Sequence, residues 1–343
     1  MKIELLKAVK SLKFNYRRLQ DVLTRKPPWN VLFFGTDEFS VYSLKALYNE
    51  YNHGTVLRKL EIVTTTKGKP NPVRQYAEEQ KLLLHSWPVE VPDSSFDIGL
   101  VVSFGHLIPE VVINQFPLGM LNVHASLLPR WRGAAPIIYA LANGDTETGV
   151  TIMRIRPKQF DIGEILAQSK IPVGSDMKMP ELYAELGDLG ARVLVDCLRS
   201  LPEKLAKARP QSSEGVTLAP KVTSEFAVIH WESMTSREVY NRERALTSLF
   251  PLTTSWHGIP VKLIGVTDFS EIGVSDVDGA LLKPGFVKYD RERKVLMVVC
   301  ANRTWVGVGK VGVYGRKAMR AVDFDNGYIK KVAVHNRYFN SSF

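Results

Sequence analysis

The 343-residue sequence predicts an α/β protein with a predominantly parallel sheet, followed by a small β-barrel domain. Apolar runs such as VLFF at 31–34 and IGLVV at 98–102 are unbroken, as in strands covered on both faces. They are interleaved with helical segments, the pattern of parallel crossovers. Beyond residue 216 the pattern changes to short strands separated by turns, which suits a small barrel.

Residues 1–28 read as a basic amphipathic helix. Leu5, Val9, Leu12, Tyr16, Leu19 and Val22 or Leu23 recur at helical spacing, and only Glu4 and Asp21 are acidic. This is the pattern of a mitochondrial targeting segment, which predicts a matrix location; the alternative is a retained surface helix or an arm that touches RNA. Pro27 and Pro28 close it, because paired prolines end helices. A strand over 31–34, Gly35 and a helix over 39–51 follow. Strand–glycine–helix invites a dinucleotide site, but that fingerprint needs three glycines and this turn has one. Asp37 and Glu38 also stand where a phosphate would want neutral or positive neighbours. No dinucleotide site is expected.

A strand over 60–65 leads into TTKGKPNPVR, a basic loop rich in glycine and proline. There Lys67, Lys69 and Arg74 are either candidate phosphate contacts or parts of a solvated turn. A helix over 73–80, a short strand near 83 and a buried strand over 97–103 come next, and His106 beyond it reads as a packing residue. A strand ending at His124 opens into the loop SLLPRWRG and a helix from 134 to about 143. A strand over 149–154, a turn and strand over 160–166 with Asp161 at the turn, and a helix over 180–199 complete a domain spanning 29–200. Residues 201–220, with Pro202, Pro210 and Pro220, read as a linker. The last domain, 221–343, has a helix over 236–246 and then the strands TTSWHG, VKLIGV, GFVKYD, VLMVVC and TWVGVGKVGV.

Residues two apart on a strand share a side. Asn122 and His124 therefore project together at a carboxyl strand end, where open α/β sheets hold their ligands. An amide can donate to a developing oxyanion, an imidazole can polarise a carbonyl or take a proton, and a carboxylate can orient the imidazole. That set suits acyl transfer without a covalent intermediate. The alternative is a pair of polar residues satisfying a strand end, and spacing alone leaves both open. Nucleophile-elbow, zinc-helix and phosphate-loop motifs are missing. Cys197 and Cys300 lie in apolar patterns without metal-ligand or disulfide spacing, so no metal is expected and a reducing compartment fits.

The net charge of +10 is uneven: +6 over 1–28, −2 over 29–215 and +6 over 216–343. A near-neutral middle suits chemistry, and a basic end suits a polyanion, although solvated lysines would read the same way. No run of 18 apolar residues occurs, so no membrane span is expected.

The stretch LNVHASLLPRWRGAAPI at 121–137 resembles the folate-dependent formyltransferases, in their tRNA-acting branch. The resemblance continues through GDTETGVTIMRI, FDIGEIL, KVTSEFAVIHWE, RALTSLFPLTTSW and GRKAM, and covers about residues 30 to 335. It implies a Rossmann-like catalytic domain and an OB-like C-terminal barrel that binds tRNA; a monomer is the default expectation. It implies formyl transfer from 10-formyltetrahydrofolate to the amine of methionyl-tRNA, the initiator species. By matching, Asn122, His124 and Asp161 would be catalytic, and Ser126, Leu127, Leu128 and Pro129 would contact the folate. Arg130 and Arg132 would lie beside the incoming RNA end, with Lys67, Lys69, Arg74, Lys310, Arg316 and Lys317 as further RNA contacts. The alternatives are a formyltransferase acting on a small amine and a non-catalytic tRNA-binding module. Two departures stand out: Asp37 replaces a proline common in the family, and the loop at 67–74 is shorter than the basic insertion of bacterial members.

Overall fold

The computed structural model describes residues 25–92, 95–273 and 282–341. The targeting reading covers residues 1–28, of which 1–24 lie outside the described residues. The chain divides into two compact units. The first is drawn from residues up to 136, 147–172 and 182–220, the second from 137–146, 173–181 and 221 onward.

The first unit is built on β1 (Trp29–Gly35), β2 (Leu57–Thr64), β3 (Leu84–Ser86), β4 (Ile98–Val102), β5 (Met120–His124), β6 (Glu147–Arg154) and β7 (Ile165–Pro172). Their order is β3-β2-β1-β4-β5-β6-β7, with the first five parallel and the last two joined antiparallel. Every residue of β4 is buried, as its unbroken apolar run requires. Leu32, Phe34, Val63, Val101, Phe104, Phe116 and Met120 form a core on one side of the sheet.

Helix α1 (Glu38–His53) begins at Asp37, whose carboxylate accepts from the Ser40 amide at 3.1 Å. The acid that departs from the family pattern is thus the helix cap, and it occupies the end a nucleotide phosphate would need. Helix α1 is followed by α2 (Pro72–Glu79), α3 (Glu110–Ile113), α4 (Pro136–Ala142), α5 (Met179–Arg199) and α6 (Leu201–Ala206). Two glycines let α5 lie close: a Cβ at Gly187 would meet the Tyr42 ring at 2.7 Å, and one at Gly190 would meet Val123 at 3.0 Å. Val123 therefore faces α5, and Asn122 and His124 face the other way.

Both ends of this unit differ from the sequence reading. Arg25 already binds Asp97 at 2.7 Å, so the folded part starts before residue 29. Residues 201–220, read as a linker, carry α6 with Leu201 and Leu205 buried, then a strap that pairs Arg209 with Ile165 and Leu218 with Arg132. The strap bonds mainly through its backbone, which its proline- and serine-rich composition does not reveal.

The second unit is a curled antiparallel sheet of β8 (Leu252–Trp256), β9 (Ile259–Gly273), β10 (Val287–Asp290), β11 (Val295–Val299), β12 (Thr304–Val313), β13 (Met319–Arg320) and β14 (Phe339–Asn340). The order is β10-β11-β12-β9-β8-β14, with β13 beside β12. A bridge between Phe286 and Tyr338 links the two ends of this path into a small barrel. Phe286, Met297, Val299 and Trp305 pack inside it. Helix α7 (Ser236–Leu246) opens with a reciprocal capping box between Thr235 and Glu238. Helix α8 (Ala321–Gly327), unforeseen in the sequence, completes the unit.

The buried Arg244 explains why residues 137–146 and 173–181 belong with the barrel. Its guanidinium donates to the carbonyls of Leu141, Gly174 and Met177 and to Asn241 Oδ1, at 2.9–3.4 Å. No helix among the described residues is long and apolar enough to cross a membrane.

Candidate active site

Asn122 and His124 end β5, one residue apart on the same side. Asp161 reaches them from the turn before β7. It has φ of +54°, in the left-handed region that a non-glycine residue rarely adopts. Its Oδ1 lies 3.4 Å from Asn122 Nδ2 and 3.6 Å from His124 Nδ1, and its Oδ2 accepts from the Gly133 amide at 2.9 Å. The three side chains named in the sequence therefore do converge.

The imidazole is oriented differently from the sequence expectation. At 3.6 Å the carboxylate is beyond direct hydrogen-bond range. The ring is instead fixed by His124 Nε2, which donates to the Trp131 carbonyl at 2.9 Å. A carbonyl only accepts, so Nε2 carries the proton, and in the neutral ring Nδ1 keeps its lone pair facing the site. His124 is only 5% exposed, which leaves the ring little freedom. A backbone carbonyl as orienter has no side-chain signal, and sequence reasoning missed it.

The loop between β5 and α4 is braced from below. Thr151 Oγ1 donates to the Ser126 carbonyl at 2.6 Å and accepts from the Leu128 amide at 3.1 Å. Gln168 Nε2 donates to the Leu128 carbonyl and to Thr151 Oγ1, both at 2.9 Å. Ser126 Oγ donates to the Arg130 carbonyl at 2.6 Å, so its hydroxyl is engaged within the loop. Ser126 and Leu128 are buried, whereas Leu127 and Pro129 are partly exposed. Gly133 has φ of +127°, and a Cβ there would lie 2.5 Å from the Ala219 carbonyl oxygen. Only glycine fits where the loop passes beneath the strap.

The candidate RNA contacts are in several states. The Arg130 guanidinium stacks on the Trp131 ring at 4.2 Å. Arg132 Nε and Nη2 both donate to Gln211 Oε1, at 3.0 and 2.7 Å. Arg74 donates to Glu78 at 2.7 Å and to the Thr66 carbonyl at 3.0 Å, and so braces its own loop. Lys67 and Lys69 are exposed in the loop after β2. Because β2 is parallel to β1, β4 and β5 lie in the same sheet direction, that loop leaves the sheet edge at which His124 sits. In the second unit Lys310, Arg316 and Lys317 are exposed at the end of β12 and just beyond it.

Among the described residues no group of three or more His, Cys, Asp or Glu could hold a metal ion. Both cysteines are buried, and burial pushes the Cys197 thiol up to about 12.

Residues 58–198 match the family model described as formyl transferase, and residues 221–329 match the formyl transferase C-terminal domain. The mitochondrial methionyl-tRNA formyltransferase of Homo sapiens is 43% identical over 310 residues, which cover 89% of this chain and 79% of the human protein. The chain belongs to the formyl transferase family. Its chemistry is formyl transfer, and Asn122, His124 and Asp161 lie within the segment matching the formyl transferase model. The methionyl-tRNA formyltransferase of Alcanivorax borkumensis is 35% identical over 250 residues, covering 69% of this chain and 74% of the bacterial one. Among solved structures, an N-formyltransferase from Helicobacter canadensis, described in complex with folinic acid and dTDP-3-aminofucose, superposes with a TM-score of 0.62. It is 15% identical, with 83% of this chain and 99% of that one covered, and so shows the fold.

Proposed function

We propose that this formyl transferase moves the formyl group of 10-formyltetrahydrofolate to the free amine of methionyl-tRNA, the initiator species, giving N-formylmethionyl-tRNA. The observation that carries the reading is the convergence of Asn122, His124 and Asp161 in a chain 43% identical to a mitochondrial methionyl-tRNA formyltransferase. Identity of this extent to tRNA-acting relatives disfavours both a small-amine substrate and a non-catalytic RNA-binding module.

The donor set fits an acyl donor attacked by an amine. Asn122 spends one amide proton on Asp161 and retains a second, which can donate to the formyl oxygen as charge builds there. His124, held through its Nε2 proton, offers Nδ1 to the reacting groups. Asp161, beside both side chains, takes part in moving the amine proton towards the leaving nitrogen. In this reading Ser126, Leu127, Leu128 and Pro129 form the folate-facing loop. Their buried bracing by Thr151 and Gln168 would keep that wall rigid.

The RNA is met by exposed charge. Lys67 and Lys69 lie at the sheet edge that carries the trio, and Lys310, Arg316 and Lys317 lie on the barrel; Arg130 flanks the reactive loop, with Arg74 and Arg132 in supporting positions. The enzyme works as a monomer in the mitochondrial matrix, directed there by the basic segment that precedes the fold.

The test is a formylation assay with purified chain, 10-formyltetrahydrofolate and charged tRNAs. Formylation of initiator Met-tRNA, together with salt-dependent tRNA retention on filters, is expected. Turnover of a small amine with no tRNA affinity would overturn the reading. A chain lacking residues 1–24 should keep its activity in vitro and lose import into isolated mitochondria.

A further inference from the structure

The strap at 209–219 contains one side chain whose hydrogen-bonding capacity is fully used at the site. Gln211 Nε2 donates to the Asp161 carbonyl and to the Gly163 carbonyl, both at 2.9 Å. Gln211 Oε1 accepts from Arg132 Nε and Nη2 at 3.0 and 2.7 Å. Carbonyls only accept and a guanidinium only donates, so the orientation of the amide is unambiguous.

The two sides of this amide meet the two halves of the site. Its nitrogen holds both ends of the turn in which Asp161 adopts its left-handed backbone. A non-glycine residue stays in that region only where its surroundings over-determine it. Its oxygen holds Arg132, the neighbour of Trp131, whose carbonyl fixes His124. The strap's backbone supports the same loop: the Trp131 amide donates to Thr217 Oγ1 and the Arg132 amide to the Thr217 carbonyl, each at 2.9 Å.

We infer that Gln211 is a positioning residue for the formyl-transfer step, setting the placement of the Asp161 carboxylate relative to Asn122 and His124. It acts through Asp161 and the Trp131–Arg132 loop. The inference rests on the proposed reaction and names a residue outside the trio and outside the reactive loop. Its sequence context, ARPQSSEG, has the composition of a connector.

Two substitutions separate positioning from mere support. Gln211→Glu keeps an acceptor for Arg132 but replaces the donor to the two carbonyls with a carboxylate. Gln211→Ala removes both sides. Steady-state formylation of initiator Met-tRNA is measured for wild type and both variants, with melting temperatures. Misplacement of a reacting group by about 1 Å costs roughly 10²-fold, so kcat should fall roughly 10- to 100-fold in both variants. KM for each substrate should stay within about twofold in Gln211→Glu, which keeps the acceptor for Arg132. Wild-type kcat in Gln211→Glu would overturn the inference. So would a parallel loss of kcat, substrate affinity and melting temperature in both variants, which marks a purely structural contact. A wild-type chain that formylates no Met-tRNA would remove the underlying reaction, and this inference with it.

Discussion

At the end of β5 the converging side chains are bonded to backbone or to one another. His124 is held by the Trp131 carbonyl, Asp161 by the Gly133 amide, and the turn around Asp161 by Gln211. At the end of β12 the picture is the reverse: Lys310, Arg316 and Lys317 stand exposed on a surface hairpin of the barrel. The contrast matches two physical demands. Charge that develops on one atom is stabilised by dipoles fixed in advance, and a displacement of a fraction of an ångström matters. A phosphate backbone is attracted by net positive charge within a Debye length, and exact placement matters little. In the proposed function the strand end is the reaction centre and the barrel surface an electrostatic landing area.

If the contrast is right, substitutions in the two regions should damage different constants. The largest effect is expected for His124→Ala. Loss of a positioned acid–base group lowers kcat by about 10²–10⁴-fold, and filter binding should show tRNA affinity nearly unchanged. A large loss of binding would erase the distinction. Next is Gly133→Ala, where the added Cβ would lie 2.5 Å from the Ala219 carbonyl oxygen. The loop must shift, which carries the Gly133 amide away from Asp161. Turnover should fall roughly 10- to 100-fold, with a lower melting temperature in a thermal scan.

Changing Lys310, Arg316 and Lys317 together to Gln should leave kcat near wild type and raise KM for tRNA about tenfold. The salt dependence of binding should flatten by about one unit of log–log slope per lost phosphate contact. An unchanged slope would show that this face does not meet RNA.

The smallest effect belongs to a pair of contacts that involve neither set of residues. Glu61 lies between Lys59 at 2.8 Å and His85 at 2.6 Å. Burial pushes its carboxyl up, but hydrogen bonds and charge from Lys59 and His85 together hold it below the ordinary value of 4.5. A lowered folded-state value means stability that is present above the unfolded value and lost as pH falls through the folded one. Glu61→Gln should therefore destabilise the protein at pH 7, with the difference from wild type closing below pH 4.5. Because the partners are partly solvated, the loss should be under about 1 kcal/mol in urea melts.

The parts of the site that were legible in the sequence follow from periodicity and side-chain type. Alternation on a strand is enough to put Asn122 and His124 side by side. Asp161 was nameable only through its resemblance to a family motif, since nothing in spacing brings residue 161 to residue 122. The Trp131 carbonyl was illegible because an acceptor present in every residue leaves no mark. Gln211 was hidden for a related reason. The strap around it earns its place through backbone pairing with Arg132 and Ala135, and such pairing is compatible with almost any composition. In the barrel the five strand runs were readable, but the closing bridge between Phe286 and Tyr338 joins segments about fifty residues apart in sequence. Arg244 shows the same gap: a charged residue in a helical pattern reads as solvated surface, yet here it is buried against three carbonyls.

The most direct measurement is formylation of initiator Met-tRNA by wild type and Asp161→Asn, each with its tRNA dissociation constant. Asparagine preserves shape and an acceptor for the Gly133 amide but removes the charge facing His124. The expected result is a fall in kcat of roughly 10²-fold or more, with tRNA affinity held within about twofold. Wild-type turnover in Asp161→Asn would contradict a reaction centre at the end of β5.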